Sequence, residues 1–272
     1  MLVTLITLLK KAIAVAVAFY VLALVLLYLF QDALLFPAPD ARSVGLVAGA
    51  EEAGQEMSDG TVLRHIRFRN SQNAPRLIYF HGNGDTALYS QGLGRAFHKA
   101  GFDVLLAEYR GYGGSTGQPS GKALLEDAVA TFDGYVGDDG GEVYVLAHSL
   151  GTGVASYLSS QRNLSGLALV SSYSSLAGVA AAHYPVFPVR LLFRNEIRSA
   201  EYLKDTATPV LFFHGDSDGV IPLQFGKELF QATGAPSGAW QALPGVGHND
   251  ILTATLVGKV ARFFLNTTKN RP

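Results

Sequence analysis

The 272-residue sequence predicts an α/β fold built on a mainly parallel sheet. Two observations carry this. Short, fully apolar runs at 77–80, 104–107, 143–146, 167–170 and 210–213 each stop at a glycine or a polar cluster. Helix-like stretches at 87–100, 121–136, 151–161, 223–232 and 251–265 separate or follow them. Apolar runs without alternation suit strands buried on both faces, and strict strand–helix alternation is what a parallel sheet needs.

The elements can be taken in order. Residues 12–30 contain no charged side chain; as a helix these 19 residues extend about 28 Å, close to the roughly 30 Å hydrocarbon core of a bilayer. Lys10 and Lys11 precede the run, Asp32 and Asp40 follow it, and Arg42 lies further on. A cleaved signal peptide and a buried core helix are the competing readings. The run is longer than a signal core, no small-x-small site follows it, and a core helix rarely stays uncharged through five turns. It reads as an uncleaved anchor over 1–31, Tyr20 at mid-span and Tyr28 near the outer interface, with 32–272 forming the second unit. The two lysines keep the N-terminus in the cytoplasm and place the second unit on the non-cytoplasmic side, periplasmic in a bacterium.

After a linker the chain alternates over 62–69, as a strand with one wet face does. The apolar runs and helices then follow as given above. Residues 171–205 break the alternation: Tyr184, Pro185, Val186, Phe187, Pro188 and the arginines around them fit either a small irregular cap insert or a crossover helix with a ragged start. Trp240 to Leu243 form a last short strand before the final helix.

Composition excludes some chemistry. The net charge of -1 gives no footprint for nucleic acid, and the absence of cysteine removes disulfides, thiolate metal sites and a cysteine nucleophile.

In a parallel sheet ligands bind beyond the carboxyl ends of the strands, where the polar clusters fall. Ser149 stands in Ala147-His148-Ser149-Leu150-Gly151, between an apolar run and a helix start. This is the context of a Gly-x-Ser-x-Gly nucleophile elbow with alanine at the first small position. The plain alternative is a serine capping an ordinary helix. A serine nucleophile needs a base, which comes last in the chain in this arrangement; His248, just before the final helix, is placed for it. His65 in the alternating strand, His98 on a helix face, His183 in the insert and His148, which should point elsewhere at the elbow, have weaker claims. The orienting carboxylate falls to the loop after 210–213, which offers Asp216 and Asp218, and spacing does not choose between them. The N–H of Leu150 and that of Asn83, in the glycine-rich loop His81-Gly82-Asn83-Gly84-Asp85, are candidate oxyanion donors. The second glycine-rich stretch, 108–115, reads as a structural turn near the site.

Taken together, His81-Gly82-Asn83-Gly84, Tyr109-Arg110-Gly111-Tyr112-Gly113, His148-Ser149-Leu150-Gly151, His214-Gly215 with Asp218, and Gly247-His248 resemble the α/β-hydrolase superfamily. The likeness is nearest to membrane-anchored serine hydrolases grouped with serine aminopeptidase, monoglyceride-lipase-like and α/β-hydrolase domain-containing lipases, and it spans about residues 31 to 265. It implies an eight-stranded, mainly parallel sheet flanked by helices, with Ser149 as nucleophile, Asp218 as acid, His248 as base, and Asn83 and Leu150 as oxyanion donors. The family's His-Gly-x-x-Asp pattern selects Asp218 over Asp216. The expected activity is cleavage of an ester or thioester through an acyl-enzyme. A peptidase on the same triad and a non-catalytic protein on the same fold are the alternatives. No metal or organic cofactor is required. The expected partners are a small-molecule or lipid ester and, through the N-terminal helix, a membrane, with Phe187, Leu191, Leu192 and Phe193 as apolar contacts for an acyl chain.

Overall fold

The computed structural model describes residues 2–39, 41, 43–137, 140–204 and 206–269; Asp40 and Arg42 lie outside the described residues. Helix α1 (Leu2–Leu35) comes first, then β1 (Glu51–Glu56), β2 (Val62–Phe68), β3 (Arg76–Phe80), α2 (Gln91–Lys99), β4 (Asp103–Ala107), α3 (Gly121–Val136), β5 (Val143–His148) and α4 (Leu150–Gln161). Strand β6 (Gly166–Val170) leads into three short helices, α5 (Leu176–His183), α6 (Val189–Leu192) and α7 (Ser199–Leu203). The chain closes with β7 (Val210–Gly215), α8 (Leu223–Thr233), β8 (Trp240–Leu243) and α9 (Ala254–Lys269).

The eight strands form one sheet in the order β1-β2-β4-β3-β5-β6-β7-β8. β1 pairs antiparallel with β2, and β2 antiparallel with β4. Every pairing from β4 to β8 is parallel. The carboxyl ends of β3 to β8 therefore share one edge. The strand order reverses between β3 and β5, the switch point where an open α/β sheet leaves a crevice.

The apolar runs are buried because helices cover both faces. Side chains alternate between two cores: Ile78, Phe80, Val145 and Ala147 pack with Leu124, Val154 and Leu229 of α3, α4 and α8. Leu77, Tyr79, Tyr144 and Leu146 pack with Phe97, Val260 and Phe264 of α2 and α9. This is the period-two alternation of a strand with both sides dry.

Three details differ from the sequence expectation. β1 is a strand although its residues, Glu-Glu-Ala-Gly-Gln-Glu, carry no apolar run; its ladder with β2 supplies the structure that its side chains do not. The alternation in β2 breaks at His65 and Ile66, both buried, so His65 does not belong to a wet face. α2 begins at Gln91, because a turn with Tyr89 N–H bonded to the Thr86 carbonyl occupies the residues before it.

Helix α1 is apolar on all sides, has a mean hydropathy of 2.8 over its richest window, and buries none of its residues in the protein. It is long and apolar enough to cross a membrane. It runs past residue 31 to Leu35, and the next residue, Phe36, is in the core.

Candidate active site

The elbow starts from a strained turn. Between β5 and α4, Ser149 has φ 53° and ψ -122°, a conformation that non-glycine residues rarely hold and that costs on the order of 1–3 kcal/mol. Strand β6 and the first turn of α4 hold it there. The Ser149 N–H donates to the Val170 carbonyl at 2.9 Å, and the Thr152 N–H and Oγ1 donate to the Ser149 carbonyl at 2.9 and 2.7 Å. A Cβ at position 151 would run into the Phe80 carbonyl oxygen, so glycine is required there. Alanine at 147 is tolerated because its methyl points into the dry core from a position registered between Phe80 and Leu169. The Ser149 side chain makes no capping bond to α4.

Its hydroxyl instead lies 2.9 Å from His248 Nε2, and His248 Nδ1 lies 2.7 Å from Asp218 Oδ2. All three residues are buried. With Nδ1–H donating to the carboxylate, Nε2 is left as an acceptor facing the hydroxyl. Asp218 Oδ1 accepts the N–H groups of Val220 and Ile221 at 2.9 and 2.8 Å. Burial alone would raise the Asp218 pKa, but hydrogen bonds from His248 and the Ile221 N–H outweigh it and hold the carboxyl at about 2. The other aspartate of this loop does different work. Asp216 accepts from the Gly245 N–H at 2.7 Å and from Ser217 Oγ at 3.0 Å, bracing the loop after β7 against the loop that carries His248.

The loop after β3 lies against the elbow. A Cβ at position 82 would stand 3.2 Å from Ser149 Cβ and 3.1 Å from His148 Nδ1. Among the described residues the N–H groups of Asn83 and Leu150 carry no other hydrogen bond, and the Asn83 side chain is held by Tyr112 Oη, which donates to Oδ1 at 3.2 Å.

Sequence reasoning missed two supports of this site. His148 does turn from the Ser149 hydroxyl, but it is no bystander: its Nε2–H donates to the His248 carbonyl at 3.1 Å, with the two rings 4.9 Å apart. Burial first, and the His248 charge second, push its pKa down to about 3, so this ring is a neutral brace. The second support is Glu108, wholly buried behind the loop after β3. It accepts from His81 Nε2 at 2.9 Å, Thr86 Oγ1 at 2.5 Å and the N–H groups of Ala87 and Tyr109 at 3.1 and 3.2 Å. His65 completes this cluster: its Nδ1 accepts the Glu108 N–H at 2.9 Å, and burial pushes its pKa down to about 4. An acidic residue at the end of an all-apolar run was the available signal. The stretch 108–115 is thus a structural turn beside the site, with Arg110 paired to both Asp127 and Asp59. His183 Nε2 lies 2.7 Å from the Val220 carbonyl and ties α5 to the loop after β7, while His98 packs near Phe68 on the opposite layer.

Known proteins fit this architecture. The family model described as the alpha/beta hydrolase fold matches residues 75–193. An uncharacterized protein of Mycobacterium tuberculosis is 36% identical over 240 residues, covering 85% of this chain and 84% of that protein. The lysophosphatidylserine lipase ABHD12 of Rattus norvegicus is 29% identical over 230 residues, covering 73% of this chain and 58% of the lipase. Among solved structures, an alpha-beta hydrolase from Vibrio vulnificus superposes with a TM-score of 0.70 at 20% identity, covering 88% of this chain and 92% of that one. The chain belongs to the α/β-hydrolase family.

Proposed function

We propose that this serine hydrolase of the α/β-hydrolase type cleaves carboxylic esters or thioesters of acyl, lipid-like substrates beside a membrane, with Ser149, His248 and Asp218 as its triad. The observation that carries the reading is the unbroken bonding of a strained, buried Ser149 hydroxyl to His248 and of His248 to Asp218, at 2.9 and 2.7 Å. The lipase among the relatives supports the substrate class, and α1 supports the location.

The steps follow from the geometry. Ser149 Oγ attacks the acyl carbon as His248 Nε2 takes its proton. Asp218 holds the tautomer and stabilises the imidazolium that forms. The oxyanion is received by the N–H groups of Leu150 and Asn83, at the start of α4 and in the loop beside it. Collapse expels the alcohol or thiol, which takes the proton from His248. Water, deprotonated by the same ring, then attacks the acyl-enzyme and releases the acid. In this reading residues 1–31 are the anchor, 32–272 the catalytic unit on the non-cytoplasmic side, and 171–205 a small cap.

A fluorophosphonate probe tests it. The native protein should be labelled on Ser149, and Ser149→Ala should lose both the label and hydrolysis of a lysophospholipid, by about 10^4-fold or more, with its melting temperature kept. Labelling that persists in Ser149→Ala removes that residue from the mechanism. Amide reporters cut as fast as esters would turn the reading to a peptidase.

A further inference from the structure

Helix α1 does not leave the domain as a free tether. Its last turns are bonded to the segment 184–195 of the cap. At one level the contacts are polar: Gln31 Oε1 accepts the Arg194 N–H at 2.8 Å, Asp32 accepts from Asn195 Nδ2 at 2.5 Å and from Arg194 Nη2 at 3.2 Å, and the Arg194 guanidinium lies 4.9 Å from the centre of the Tyr28 ring. An arginine over a tyrosine beside carboxylate and amide groups is the pattern of a membrane–water boundary. Eleven residues earlier, about 17 Å along the helix, the contacts are apolar. Tyr20 stacks on Phe187 with ring centres 5.5 Å apart, and its hydroxyl donates to the Val186 carbonyl at 2.9 Å. The cap segment thus follows α1 from the boundary level well into the apolar part of the helix.

Two further features mark this segment as facing hydrocarbon. Leu191 and Val186 are 82% and 71% exposed, large aliphatic side chains with little protein cover. Its backbone is nonetheless heavily satisfied from within. The N–H groups of Tyr184, Phe187, Val189, Leu191 and Phe193 bond to the carbonyls of Ala180, Tyr184, Phe187, Pro188 and Val189, and Pro185 and Pro188 have no N–H to satisfy. Gln31 caps the Leu192 carbonyl, as Tyr20 caps that of Val186. Irregular backbone is tolerated at membrane depth only when its polar groups are so used. Within 184–193 the one charged side chain, Arg190, turns to the other side and lines a cavity with Ser174 and Glu228. Between α1 and the segment lies a groove of about 140 Å³, walled by Leu24, Leu27, Leu35, Ala180, Phe187 and Leu192. An apolar cavity near 150 Å³ holds a benzene-sized ligand, so this one admits a length of alkyl chain.

We propose that this groove binds one acyl chain of a bilayer lipid, with the segment 184–193 lying in the membrane beside α1. The inference rests on the reading of α1 as an anchor, and is independent of Ser149. The test uses the full chain in phosphatidylcholine vesicles whose acyl chains carry a photoactivatable diazirine, floated on a density gradient and mapped by mass spectrometry. Adducts are expected on Leu27 and Leu192 in the groove and on exposed Leu191, several-fold above Leu46 and Tyr89 on the domain surface. Ala180→Trp, which fills one end of the groove, should lower labelling of Leu27 and Leu192 about tenfold, the loss from two buried methylenes, while Leu191 stays labelled. Flotation with label on Leu191 and none in the groove overturns the acyl-chain site. Flotation with Leu191 unlabelled means that a protein partner or water covers the segment, and also overturns it. Failure to float overturns the anchor reading and this inference together. Ser149→Ala should label like the native chain, so a failed triad leaves the inference standing.

Discussion

The two histidine–carboxylate pairs at the carboxyl edge of the sheet use the same chemistry to opposite ends. His248 and Asp218 meet at 2.7 Å, His81 and Glu108 at 2.9 Å, and both carboxylates are buried. What separates them is the neighbour of the other ring nitrogen. His248 Nε2 faces a hydroxyl that can donate, so this nitrogen can serve as an acceptor. His81 Nδ1 lies 2.8 Å from the Gly82 carbonyl, so both of its nitrogens face acceptors and the ring is held as imidazolium. Burial would lower the His81 pKa, but the hydrogen bond and charge of Glu108 outweigh it and raise it. In the proposed mechanism one pair is a base in waiting; the other is a rivet under the loop that carries Asn83. The partner of the second nitrogen decides the role.

The comparison can be broken by exchanging the two carboxylates for amides. Asp218→Asn should lower kcat for ester hydrolysis by about 10^4-fold with the fold intact, because an amide no longer fixes the His248 tautomer. Glu108→Gln should do the reverse. It leaves His81 without its charge partner and should cost about 3 kcal/mol, or about 6–12 °C of melting temperature, with a much smaller loss of kcat per folded molecule. Equal effects of the two changes on rate and stability would abolish the distinction.

The pH dependence sharpens it. A raised His81 pKa contributes stability that is complete below the unfolded value of 6.5 and fades as pH rises through the folded value. The melting temperature should therefore decline on that alkaline side, and Glu108→Gln should flatten the slope. Asp218, depressed from 3.8 to about 2, contributes stability present above pH 3.8 and lost only as pH falls toward 2, so its pair should give no slope near neutrality. Smallest of all, Ala147→Gly restores the usual first residue of the elbow. It should leave kcat unchanged and lower stability by about 1 kcal/mol, since the Ala147 methyl is packed in the core and the elbow is already formed.

How much of this was legible in the sequence depends on what each element draws its structure from. β3 to β7 declare themselves because burial on both faces forces a continuous apolar run. β1 does not, since an edge strand paired on one side takes its structure from hydrogen bonds to β2, which any sequence can make. The same division runs through the site. Ser149 and His248 stand at ends of elements where punctuation is visible. Asp216 and Asp218 share one loop, and spacing alone does not choose between them; the family pattern picks Asp218, and the fold shows Asp216 bracing Gly245 while Asp218 meets His248. Glu108 and His148 act through partners 27 and 100 residues away, a distance at which local pattern carries no information.

The absence of slack between Leu35 and the core has a further result. α1 ends, and Phe36 is already packed inside the domain. A bilayer around α1 would set the tilt and height of the whole molecule, as a post sets a signboard. Encounters with lipid then become a search across a plane, and water-borne molecules arrive only from the half-space above it.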